Sequence, residues 1–164
     1  MWLCRAGQRG RYIDMCFKNN KMYLTWEGYN LDCRNYTDIQ GFRDIVAKEK
    51  NIENKTTISN WSSQLYQFVN GISIGDYVLI PGEDSKVYHL SKVIGEYQYS
   101  CFDTFHHSRE IQFIHKNILR EIFNQQTQYS LRAYRTLYRI KNDEYVLRCI
   151  KDWSLSNRKR NKNG

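Results

Sequence analysis

Residues 58–80 read ISNWSSQLYQFVNGISIGDYVLI. Trp61, Leu65, Phe68 and Val69 recur at the three- and four-residue intervals of one helix face, and Asn70-Gly71 supplies residues that end a helix. Gly75-Asp76 then turns the chain into Tyr77-Val78-Leu79-Ile80, an apolar run short enough for a buried strand and closed by Pro81-Gly82. A helix handed by a tight turn into a central strand predicts a mixed α+β domain.

Working outward, 11–17 (RYIDMCF) and 21–26 (KMYLTW) are short and aromatic-rich, and Lys18-Asn19-Asn20 between them predicts a hairpin. Thr37 with Gln40 forms a capping-box pattern, and Ile39, Phe42, Ile45 and Val46 continue it as a helix up to Lys48-Glu49-Lys50. On the C-terminal side, 87–94 reads as a strand, Gly95 breaks it before Glu96-Tyr97-Gln98-Tyr99, and 109–113 alternates through Arg109, Ile111 and Phe113. A short helix is expected near 117–123 and a strand near 135–140, and 146–150 has the composition of a further strand. The expected architecture is a sheet of about five to six strands curled into a β-barrel with flanking helices.

At 164 residues the chain fits one domain, and 41% hydrophobic with 26% charged residues is a globular composition. Residues 1–150 are expected to form that domain and 151–164 a basic tail or linker. The formal net charge of +8 suits a polyanionic partner, but half of the surplus is Arg158, Lys159, Arg160 and Lys162 near the end, where a solvated tail is an equal reading. No basic-then-apolar leader and no run long enough to cross a bilayer is present, so the sequence predicts a cytoplasmic chain without a membrane partner. Five cysteines, widely spaced and without a CxxC pair, predict mostly buried thiols rather than a disulfide framework.

The segment 58–80 resembles the helix, Gly-Asp turn and strand of EVE and related PUA-like domains, in which an Asn-aromatic pair opens the helix. SKVIGEYQYS (91–100), the run from His107 to Phe113 and YSLRAYRTLYRI (129–140), with Trp2 and Trp26, extend the likeness. In that order they are similar to the EVE-like N-terminal domain of bacterial modification-dependent (Mrr-type) restriction endonucleases. The resemblance implies a PUA/EVE-like barrel that flips a modified base of double-stranded DNA into an aromatic pocket, as the specificity domain of a restriction or defence system. It implies no cofactor and no catalysis by the module itself, with a nuclease domain or subunit as partner; the related YTH domains imply an RNA reader as the alternative.

Such a pocket needs flat π faces and groups that pair with the base edge. Trp26, Trp61, Tyr97 and Tyr99 are the candidate faces; Asn60, Gln64 and Asp76 are the candidate edge contacts, with His107 beside them. Core packing for Trp61, capping for Asn60, a turn for Asp76 and barrel cover for the tyrosines are the competing readings. Phosphates would fall to Arg5, Arg9, Arg11, Lys92, Arg109, Arg132 and Arg135, with the Gly7 and Gly10 turn offering backbone N–H groups. Two enzyme readings remain: a Mg²⁺ nuclease on Asp76, Asp84 and Lys86, whose interval crosses Pro81-Gly82, and a metal on Cys101, His106 and His107, which lacks a second ligand pair.

Overall fold

In a computed structural model, which describes residues 1–162, the organising element is β6 (His107–Leu119). The alternation seen at 109–113 belongs to this 13-residue strand. The expected helix at 117–123 is therefore the end of β6 followed by a single 3-10 turn, Arg120–Ile122. Helix α4 starts only at Gln125 and runs to Ser130, with Asn124 accepting the Thr127 N–H as its cap.

The sheet order is β2-β6-β4-β3-β1-β7, with β5 also on β6. These are β1 (Trp2–Cys4), β2 (Lys21–Tyr23), β3 (Tyr77–Pro81), β4 (Val87–Val93), β5 (Gln98–Tyr99) and β7 (Leu137–Arg139). Only β1 with β3 is parallel. The result is an α+β domain on a curled, half-barrel mixed sheet.

Two bulges produce the curl: the β4–β6 register slips between Tyr88 and Leu90 and again between Leu90 and Ser91, and bulges sharpen local twist and bend. Asn117, in the bulged stretch, takes a left-handed φ of 57° and donates its N–H to His89 Nδ1 at 3.2 Å. Burial lowers the His89 pKa to about 4, so the ring is neutral and can accept that bond.

The segment 11–17 is not a strand. It belongs to helix α1 (Ile13–Asn19), which ends where Asn20 turns left-handed at φ 49°. Only 21–23 of the expected second strand pairs in the sheet. Over so short an apolar run, helix and strand periods cannot be told apart. Helix α2 (Ile39–Lys50) is capped by Asp38, one residue after the expected Thr37. Helix α3 (Lys55–Tyr66) starts well before Trp61, capped by Asn54, and ends in a π turn, Gln67–Gly71. The 146–150 segment is helix rather than strand, inside α5 (Asp143–Lys162), where Val146 and Ile150 stand one turn apart and buried. Residue 150 thus lies mid-helix, and Arg158 to Lys162 form its last turns; residues 163 and 164 of the expected tail lie outside the described residues.

Strand alternation serves two cores. Trp2, Val78, Ile80 and Ile111 join Phe42, Val46, Leu65 and Phe68 of α2, α3 and the π turn on one face. Leu3, Leu79, Tyr88 and Ile118 join Leu131, Val146 and Ile150 on the other. The sheet is covered on both sides, and the site must lie along an edge or between its loops.

Because the folded-state pKa of His89 lies below its value in an unfolded chain, stability is complete above pH 6.5 and falls as pH drops toward 4. Denaturant unfolding at pH 7 and pH 4.5 should show wild type losing about 2 kcal/mol more than His89→Gln, which cannot take up the proton.

Candidate nucleic-acid interface

The connection 24–38 between β2 and α2 carries almost no regular structure, so its shape must come from side chains beneath it. His107 Nε2 bonds the Tyr29 carbonyl; a carbonyl only accepts, so Nε2 carries the proton and Nδ1 is the acceptor. Tyr97 Oη donates to that Nδ1 at 2.6 Å and accepts the Cys33 N–H at 3.3 Å. Tyr99 Oη donates to the Asn30 carbonyl at 2.8 Å. Burial lowers the His107 pKa, which keeps this pattern of donors and acceptors fixed.

The pinned loop sets Trp26 and Tyr29 against Trp61 of α3. Trp26 and Trp61 lie 4.9 Å apart between ring centroids at 34°, and Tyr29 lies 5.3 Å from Trp26 and 6.0 Å from Trp61. The two tryptophans already touch, so they form one wall rather than the two sides of a slot. Trp26 Nε1 is tied to Thr136 Oγ1 at 2.8 Å, which leaves the ring fixed.

In front of this wall is a cleft of about 300 Å³ that also takes in Arg5, Gln8, Arg11, Tyr134 and Arg135. Arg5 donates to the carbonyls of Leu131, Ala133 and Arg135, and so holds the loop 131–135 that projects Tyr134, 94% exposed. Arg135 also lines an adjoining recess with Lys55, Ser59 and Asn60. Arg5, Gln8 and Tyr134 are likewise shared with a depression holding Arg9 and Arg132. These shared residues join the three into one stretch of surface, the basic groove. Arg9 is spent on Asp84 and holds that carboxyl below its ordinary pKa, while Arg11, Lys55, Arg132 and Arg135 form no ion pair among the described residues.

Of the expected base-pocket residues, Trp26 and Trp61 face the cleft and Asn60 lies in the adjoining recess, in the second turn of α3 and not at its cap. Gln64 is buried: its Oε1 accepts the N–H groups of Thr136 and Leu137, each at 3.1 Å, which sets the start of β7. Asp76 accepts from Trp2 Nε1 and Ser73 N, both at 2.9 Å, and is likewise structural. Tyr97, Tyr99 and His107 hold the loop from below and do not line the cleft.

Among the phosphate candidates, Arg5, Arg9, Arg11, Arg132 and Arg135 share the groove. Lys92, on β4, lies over the Tyr77 ring of β3, and Arg109 is buried beside Ile72. The Gly7–Gly10 turn offers no free N–H at Gly10, Arg11 or Tyr12, since these bond Gly7, Gln8 and Ala6 carbonyls. The glycines are needed for shape: Gly10 has φ 72° and a Cβ there would meet the Gly82 carbonyl oxygen at 2.6 Å.

Asp76 and Asp84 stand beyond opposite ends of β3, whose five residues span roughly 16 Å, too far to share one ion. His107 has both nitrogens occupied, so it cannot join Cys101 and His106 on a metal. Gln8 and Tyr134 were not singled out from the sequence. Gln8 sits within AGQRGR, where the arginines drew attention, and only their loop geometry marks either residue.

The fold and groove define a small α+β domain with an aromatic and basic cleft. A family model described as Domain of unknown function (DUF8426) matches residues 2–141, and the chain belongs to that family. No curated protein and no solved structure matches the chain. Among the described residues, no helix is long and apolar enough to cross a membrane.

Tyr97→Phe strands the Cys33 N–H and the His107 Nδ1 and should cost about 1–3 kcal/mol in chemical unfolding. It should also shift Trp26 fluorescence, since the loop carrying that ring loses its support; an unchanged spectrum would show that the loop holds itself.

Proposed function

We propose that this chain reads nucleic acid by receiving an extruded base against the Trp26–Trp61 wall, and that its target is double-stranded DNA carrying a modified base. The carrying observation is the conjunction of that wall with Arg11, Arg135 and Tyr134 in one cleft, continued by adjoining basic surface. Stacking on fixed indoles supplies the energy of holding a base outside its duplex, and unpaired arginines on either side suit the flanking phosphates. Tyr134, on an exposed loop braced by Arg5, is placed to cover the free face of the base.

Gln8 and Thr25 in the cleft, and Asn60 in the adjoining recess, are polar groups left to meet the base edge, since Gln64 and Asp76 are used within the fold. An added methyl or hydroxymethyl group is sensed by apolar contact with the indoles, worth about 1–3 kcal/mol. In this reading the curled sheet is a variant of the PUA/EVE-like barrel. The chain acts as the specificity module of a cytoplasmic restriction or defence system, and cleavage belongs to another domain or subunit.

Fluorescence anisotropy on one duplex sequence in four forms, unmodified, 5-methylcytosine, 5-hydroxymethylcytosine and N6-methyladenine, should show at least a roughly tenfold preference for one form. Trp61→Ala should weaken that binding by about 10–100-fold, and Arg135→Ala should lower the salt slope by about one. Equal affinity for all four forms removes the modified-base claim, and tighter binding to the matching RNA would transfer the reading to RNA.

A further inference from the structure

A second cavity, of about 630 Å³, opens on the same face of the sheet as α3 but shares no lining residue with the basic groove. Its wall includes Arg109 of β6, Arg34 of the 24–38 loop, Asn70, Ser73, Glu96 and Tyr97. Arg109 is only 4% exposed, which for an arginine ordinarily requires a carboxylate or several acceptors around the guanidinium.

Arg109 has neither. Its Nη1 donates to the Ile72 carbonyl, its Nε is fully buried without a partner, and no ion pair reaches it among the described residues. The nitrogens left over are Nε and Nη2, and Nη2 makes no hydrogen bond among the described residues. Those two N–H groups point in parallel along one edge of the guanidinium, with Nη2 at the surface and Nε beneath it, so an entering anion meets Nη2 first and reaches Nε by a small shift of the side chain. That edge is the one that takes two oxygens of a carboxylate or a phosphate at once.

We infer that this cavity is a binding site for a small oxyanion-bearing ligand, which presents a carboxylate or a phosphate monoester to the Nε–Nη2 edge of Arg109. The volume fits a small metabolite-sized molecule. Asn70 and Ser73 offer polar contacts, and Tyr97 and Ile72 an apolar wall, for the remainder of it. Glu96, exposed at the cavity and outside ion-pair distance of Arg109, repels the anion and limits its affinity. Arg34 is engaged with Asp32 and adds little net charge.

The ¹H–¹⁵N resonance of Arg109 Nε reports the site directly. Full-length protein is titrated with acetate and, separately, with methyl phosphate at constant ionic strength. The expected result is a saturable downfield shift with at least one anion: acetate alone assigns a carboxylate ligand, and methyl phosphate, alone or with acetate, assigns a phosphate monoester. Glu96→Gln should tighten that binding roughly threefold, an effect a purely structural arginine would not show. Arg109→Lys, which keeps the charge and loses the paired edge, should abolish it. A resonance unmoved by either anion at tens of millimolar, in wild type and in Glu96→Gln, overturns the inference whether or not Arg109→Lys folds.

Discussion

Two hydrogen bonds to one neutral imidazole decide where the cleft is. His107 enters the core at the start of β6 and spends Nε2 on the backbone of Tyr29 and Nδ1 on the hydroxyl of Tyr97, which in turn holds Cys33. Protonation would make Nδ1 a donor facing another donor, so burial, by keeping the ring neutral, also keeps the loop in place. The loop is held further by Lys50 Nζ on the Glu27 carbonyl, by Asn70 Nδ2 on the Tyr36 carbonyl and by the burial of Leu24, Tyr29 and Cys33. Trp26 bonds Thr136, and Tyr29 packs against both tryptophans of the wall.

A second constraint fixes the opposite side of the cleft. Arg5, just past β1, collects three carbonyls from the 131–135 segment, and Gln64 collects two N–H groups from 136–137. One α3 side chain and one β1-flanking side chain thus set the path of the strand entering β7. The charged residues on that path, Arg132 and Arg135, are left outside and unpaired. Groups that look like ligand contacts in the sequence are here the frame, and the neighbours that they position are the contacts.

The frame was more legible than its details. The apolar stripe of 58–69, the Gly75-Asp76 turn and the 77–80 strand were readable because each has a period or a breaker of its own. The segment 11–17 was not, since Ile13, Cys16 and Phe17 suit a helix face as well as a strand and Asn20 ends either. The length of β6 was hidden by bulges, which interrupt the alternation near Ile114 and Asn117 while the pairing continues. Trp26 and Trp61 stand together, but as one touching wall and not as the two facing sides that a base sandwich needs. Gln64, Asp76, Tyr97, Tyr99 and His107 share the residue types of a base pocket but point to backbone groups, and only tertiary contacts distinguish those uses. Arg109 is a phosphate candidate by residue type, and its burial against the carbonyl of Ile72, distant in the chain, shows only in the fold.

The central claim is that nucleic acid meets the protein at the Trp26–Trp61 wall. Trp2 and Trp153 lie apart from the Trp26–Trp61 wall: Trp2 is in the core, and Trp153 sits on α5 against His115, on the helix that carries the basic end of the chain. Titrating a duplex that carries the preferred modified base should move the Trp26 and Trp61 indole N–H signals and leave those of Trp2 and Trp153 in place. Movement confined to Trp153 would put the contact on the basic helix instead and contradict the claim.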